Sequence, residues 1–98
     1  MKFTNHYRNQ KWLYTVYKSE SENNYLLVAV VPGIGWFDIA LILKNEEVER
    51  LRKSEDDFTK FVNHFIKSRE EKKFKSRRIE QNIKNIDSDT VELLNEKP

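Results

Sequence analysis

Tyr25-Leu26-Leu27-Val28-Ala29-Val30-Val31, then Pro32-Gly33-Ile34-Gly35, then Trp36-Phe37-Asp38-Ile39-Ala40-Leu41-Ile42-Leu43 is the stretch that decides the fold. Its first seven residues are apolar on both alternating faces, which suits a strand buried in the middle of a sheet. Proline fixes φ and has no N–H for a ladder, and two glycines can take positive φ, so 32–35 form a tight connection. Trp36–Leu43 then reads as a further strand. Upstream, Trp12–Tyr17 is rich in aromatic and β-branched residues and reads as a strand, with the polar Lys18–Asn24 as its loop. Three strands with short links predict an antiparallel meander with Tyr25–Val31 at its centre.

Downstream the period changes from 2 to 3.6. Asn45 is placed to cap a short helix through about Lys53, and Glu46 and Glu47 suit the positive end of its dipole. Only Val48 and Leu51 give that helix an apolar side. Ser54-Glu55-Asp56-Asp57 matches a capping box and opens a longer helix over 54–72. Phe58, Phe61, Val62, Phe65 and Ile66 fall at i, i+3, i+4, i+7 and i+8, a single apolar stripe. The expected fold class is therefore α+β: a three-stranded antiparallel meander with two helices, one short and one long, packed on one face. Residues 1–76 form the domain. Residues 77–98 form a C-terminal segment, helical or mobile: Ile79, Ile83 and Ile86 have helical spacing, and Asp87-Ser88-Asp89 could end that helix and cap another around Val91–Leu94.

Ninety-eight residues allow one domain with one modest core. Aromatic residues make up 12% of the chain, more than a disordered sequence usually carries. No cysteine is present, which removes disulfides, thiolate metal sites and cysteine nucleophiles together. Met1–Gln10 is polar and lacks the apolar centre of a signal peptide, and no apolar run is long enough to cross a bilayer. The cytoplasm is the expected location.

The net charge of +2 is unevenly spread. Residues 1–66 are neutral, 67–84 carry a net +5, and 85–98 carry a net −3. Lys72-Lys73-Phe74-Lys75-Ser76-Arg77-Arg78 could grip phosphates, with Phe74 available for stacking. Against that, cations suit the negative pole of a helix end, Glu70 and Glu71 dilute the patch, and no RNA-binding signature accompanies it.

Catalytic chemistry finds little support. His6 lies in a polar segment, and His64 lies off the Phe58–Phe65 stripe and faces solvent. No nucleophile elbow, Walker loop, zinc-protease helix or dinucleotide fingerprint occurs. Asp56 and Asp57, like Glu46 and Glu47, stand where helix starts explain them. No enzyme, no cofactor and no metal site is expected.

Asp38 stands out. Phe37, Ile39, Leu41 and Leu43 share the face that seats the long helix; Trp36, Asp38, Ala40 and Ile42 share the other. That second face is apolar enough to need cover, from the C-terminal segment, a second copy in a homodimer, or a partner. Trp36, Asp38, Glu46 and Glu47 are the candidate partner-binding residues, an aromatic anchor with carboxylates around it.

The pattern 25–37, then Asn45-Glu46-Glu47-Val48, then the phenylalanine-rich helix ending near Ser76-Arg77-Arg78-Ile79, resembles small bacterial immunity proteins of polymorphic toxin systems, including those of contact-dependent growth inhibition. The likeness covers residues 25–79. It implies a cytosolic protein that binds and blocks the C-terminal toxin domain of an effector, often a nuclease. Contact residues in such proteins vary with the toxin, so none carries over by position. The slightly basic net charge departs from the acidic balance of many nuclease inhibitors. The competing expectation is a nucleic-acid-binding accessory protein using residues 67–84; the diluted patch implies only weak, non-specific binding.

Overall fold

The computed structural model describes residues 2–11, 13–20, 23–31, 37–79, 83–87 and 89–93. In chain order the elements are β1 (Lys2–Asn9), β2 (Tyr14–Ser19), β3 (Tyr25–Val31), β4 (Phe37–Ile42), α1 (Asn45–Lys53), α2 (Glu55–Lys67), α3 (Lys72–Lys75), β5 (Arg78–Ile79), β6 (Ile83–Asp87) and β7 (Thr90–Leu93). The sheet is antiparallel, in the order β5-β4-β3-β2-β1-β7-β6. Six of its strands have four residues or more, and β5 adds a two-residue edge.

The three-stranded meander is therefore corrected. The expected β2-β3-β4 core is present, with β3 paired on both sides. The sheet also takes in β1 and the described part of the C-terminal segment, which forms strands rather than the expected helix: β7 pairs with β1 through Phe3 and Val91, and β5 pairs with β4 through Ala40 and Ile79. Trp36, Ser88 and Leu94 lie outside the described residues, as do the turn 32–35 and Trp12.

The strand order forces a curl. β5 and β6 lie at opposite ends of the sheet, yet Ile79 and Ile83 are four steps apart in the chain. Four extended residues span at most about 14 Å. Seven flat strands spaced 4.8 Å apart would hold the first and last about 29 Å apart. The sheet accordingly bends into a half-barrel.

Curling gives the sheet an outer and an inner face, each with its own apolar cluster. On the outer face, Val16, Leu27, Ala29, Ile39 and Leu41 pack against Val48 of α1 and Phe58, Phe61, Val62 and Phe65 of α2. Each of those phenylalanines, fully buried, contributes roughly 1.5–3 kcal/mol. Ser54 Oγ accepts a hydrogen bond from the Asp57 backbone N–H at 3.2 Å, the expected cap of α2. The helix stops at Lys67 rather than 72, and Ser68–Glu71 turns the chain so that Phe74 enters the same core. On the inner face, Phe3, Tyr17, Leu26, Ala40 and Val91 are buried, with Val28, Ile42, Ile79, Ile83 and Leu93 packed around them. The leftover face of β4 is thus partly covered by the C-terminal strands.

Candidate functional site

Cross-strand register orders the inner face into rows. Ile42, Leu26 and Tyr17 are opposed in one row. Two residues towards the other end of the strands, Ala40, Val28, Thr15 and Arg8 form the next. Asp38 and Val30 form the last. Phe3, Leu26 and Val91 fill the inner end of the half-barrel. The other end stays open, as a cavity of about 720 Å³ lined by Thr15, Tyr17, Val28, Asp38, Ala40 and Ile83 among others. Mouths of β-barrels are common ligand sites, and the volume lies within the usual range of roughly 300–1,000 Å³.

Polar side chains line this cup beside the apolar ones, among them Arg8, Asn9, Gln10, Thr15, Tyr17 and Asp38. Tyr17 is only 8% exposed, and its hydroxyl has no hydrogen-bond partner among the described residues. Asp38 is exposed at the rim, and its carboxylate likewise has no ion-pair or hydrogen-bond partner among them. The cations nearby are engaged. Arg8 reaches Asp89 at 3.5 Å and donates to Thr15 Oγ1 at 3.3 Å. Arg78 reaches Glu70 at 3.1 Å, and Arg69 donates to the Ile66 carbonyl at 2.6 Å. Hydrogen bonding from Arg78, ahead of its charge, holds the Glu70 carboxyl below the ordinary carboxylate value. Asp38 also borders a second, smaller hollow of about 360 Å³ with Arg69, Glu70 and Arg78.

Of the four residues nominated from sequence, Trp36 lies outside the described residues, and Asp38 does not share a patch with Glu46 and Glu47. Asp38 stands near the start of β4, whereas Glu46 and Glu47 follow its far end, roughly 20 Å of extended chain away. Glu46 is exposed on the first turn of α1. Glu47 is bound internally, to the Lys44 backbone N–H at 2.8 Å and to Arg77. Asn45, expected as the cap of α1, is its first helical residue, and Lys44 occupies the cap position. Sequence reasoning missed Thr15, Tyr17 and Ile83 as cup residues. The alternation of Thr15 and Tyr17 against the buried Tyr14 and Val16 was the available signal, but the inner face appears only when the C-terminal strands close around it.

The basic segment is also changed by the fold. Phe74 is 4% exposed and ringed by Phe61, Phe65 and His64, so it offers no face for a base. Arg77 and Arg78 are tied to Glu47 and Glu70, and Lys75 and Lys73 lie within 3.7 and 3.9 Å of Glu70 and Glu71. Among the described residues, no group of three or more His, Asp or Glu side chains could hold a metal ion, and no helix is long and apolar enough to cross a membrane. No family model, curated protein or solved structure matches the chain.

Proposed function

We propose that this chain is a non-enzymatic binding protein of the cytoplasm that docks a protein partner at the open mouth of its half-barrel, and that the partner is the C-terminal toxin domain of a contact-dependent-inhibition type effector. The observation that carries the docking is the cup itself: an apolar inner wall of Val28, Ala40, Ile79 and Ile83, an open mouth, and at the rim a carboxylate without a partner among the described residues. A recess of this kind receives an anchor side chain, while rim charge sets orientation and on-rate. Inhibition is steric, by occupation of the toxin's surface. The toxin assignment is supported by the resemblance across residues 25–79.

The test is co-expression with the C-terminal domain encoded by the neighbouring upstream gene. Growth is restored by the native chain and lost with Asp38→Lys, whose thermal midpoint matches the native one because Asp38 is exposed. An upstream gene that encodes no toxic domain, or full protection by the Asp38→Lys chain, counts against this function.

A further inference from the structure

The register of the inner face separates apolar depth from charge. From the Asp38 row to the Ile42–Leu26–Tyr17 row is four residues along the strands, roughly 13 Å. Between them stand Ala40, Val28 and Thr15, with Ile79, Ile83 and Val91 arriving from the C-terminal strands. The one deep polar group on this path that lacks a partner among the described residues, the Tyr17 hydroxyl, is neutral. A ligand's charge therefore belongs at the rim and its apolar part inside. Rim charges also differ in how they are engaged. Arg8, Arg69 and Arg78 are each engaged by a carboxylate or a carbonyl, while the Asp38 carboxylate is not.

We infer that the cup recognises an apolar group carrying a cation on its outward side, presented by a partner segment in which an apolar side chain inserts and a neighbouring lysine or arginine meets Asp38. The inference rests on the docking function proposed above and adds the chemistry of what docks. A lysine side chain entering alone would fit poorly, because it would carry its ammonium past Asp38 into the apolar interior, where an unpaired charge is costly.

Three six-carbon probes test this on the isolated full chain: hexylammonium, hexanol and hexanoate, titrated with amide chemical shifts as the readout. The expected result is shifts clustered at Thr15, Tyr17, Val28, Ala40 and Ile83. Hexylammonium should bind about three- to fivefold more tightly than hexanoate, the size expected of a partly exposed ion pair. Asp38→Asn should abolish that preference and leave hexanol binding unchanged. Equal binding of hexanoate, shifts outside the cup, or a preference that survives Asp38→Asn would overturn the inference. Acetyl-Leu-Lys-amide separates the sources: binding at least as tight as hexylammonium supports a partner segment, and no binding beside tight hexylammonium overturns it in favour of a free amine. No toxin enters these titrations, so their failure is distinguishable from failure of the growth test.

Discussion

Arg77 grips Glu47 with both terminal nitrogens, at 2.6 and 3.1 Å, and the same guanidinium donates to the Ile42 carbonyl at 2.7 Å. The pair is largely shielded, with side chains 20% and 12% exposed. It ties the start of α1, the end of β4 and the approach to β5 at one point. Bidentate geometry and partial burial make such a contact stronger than a surface ion pair. Glu47→Ala leaves a shielded guanidinium without its carboxylate, and we expect a loss of about 2–3 kcal/mol in urea unfolding. Arg77→Met should cost a similar amount, and a double-mutant cycle should show coupling above 0.5 kcal/mol. Additive single effects would mean the two residues act separately.

Phe74 is a core residue supplied by a four-residue helix. It lies 5.1 Å from the Phe65 ring and 6.2 Å from the Phe61 ring, both edge-on. Phe74→Ala should destabilise the fold by about 3–5 kcal/mol, as core phenylalanine truncations do. The measurement is a denaturant midpoint. A loss below 1 kcal/mol would place the 72–75 turn outside the cooperative core.

How far the fold was legible follows from particular residues. Tyr25, Leu26, Leu27, Ala29 and Val31, and Phe58, Phe61, Val62 and Phe65 of the helical stripe, are buried as their periods imply, while Val28 and Val30 are only partly covered and line the open cup. β1 was hidden by a bulge: its register shifts between Asn5 and Tyr7, so Phe3 faces the inner cluster and Tyr7 the outer one although they are four residues apart. Period 2 cannot register a strand that changes face midway. At the C-terminus, Ile79 and Ile83 have helical spacing because they end and begin strands at opposite edges of the sheet. Asp87 and Thr90 pair where β6 meets β7, and they are the same small polar residue types that end helices. Of the candidate site, Asp38 was legible from strand alternation; the cup around it depends on long-range closure that local patterns do not carry.

Engagement of the basic segment limits its grip on nucleic acid. Lys72, Lys73 and Lys75 remain exposed, and a few solvated lysines give weak, sequence-independent binding that falls steeply with salt. Fluorescence anisotropy with single- and double-stranded oligonucleotides should show no selectivity and little binding at physiological salt. Tight binding lost on changing those three lysines to glutamate would move the function to the nucleic-acid class.

His6 should make stability depend on pH in one direction. Burial lowers its pKa from the ordinary 6.5, and the positive Arg52 and Lys18 lower it further; its ring meets Tyr25 edge-on at 5.2 Å. Below pH 6.5 the unfolded chain takes up a proton that the folded chain resists. The stabilisation is complete above that pH and declines as pH falls through the lowered folded value. An NMR titration should place His6 below 6.5, and Arg52→Gln should raise it only part of the way, since burial leads. A His6 that titrates at 6.5 or above would remove the effect.

Leu13 joins two features that a stable surface turn would avoid. Its φ is +58°, in the left-handed region that costs a side chain with a Cβ on the order of 1 kcal/mol, and it is 42% exposed. The Leu13 carbonyl accepts from the Val30 N–H at 3.0 Å, continuing the β2–β3 ladder, so this strain is fixed in place beside the cup it lines. Asparagine tolerates that backbone better. Leu13→Asn should therefore stabilise the free protein by about 0.5–1 kcal/mol in urea unfolding, while Leu13→Ala, which keeps the strain, should change little. Both remove an apolar side chain from the rim, so both should weaken partner docking equally, independent of stability. If the asparagine variant is more stable but protects cells as well as the native chain, Leu13 serves no docking role; if it is less stable, the left-handed backbone is not a source of strain.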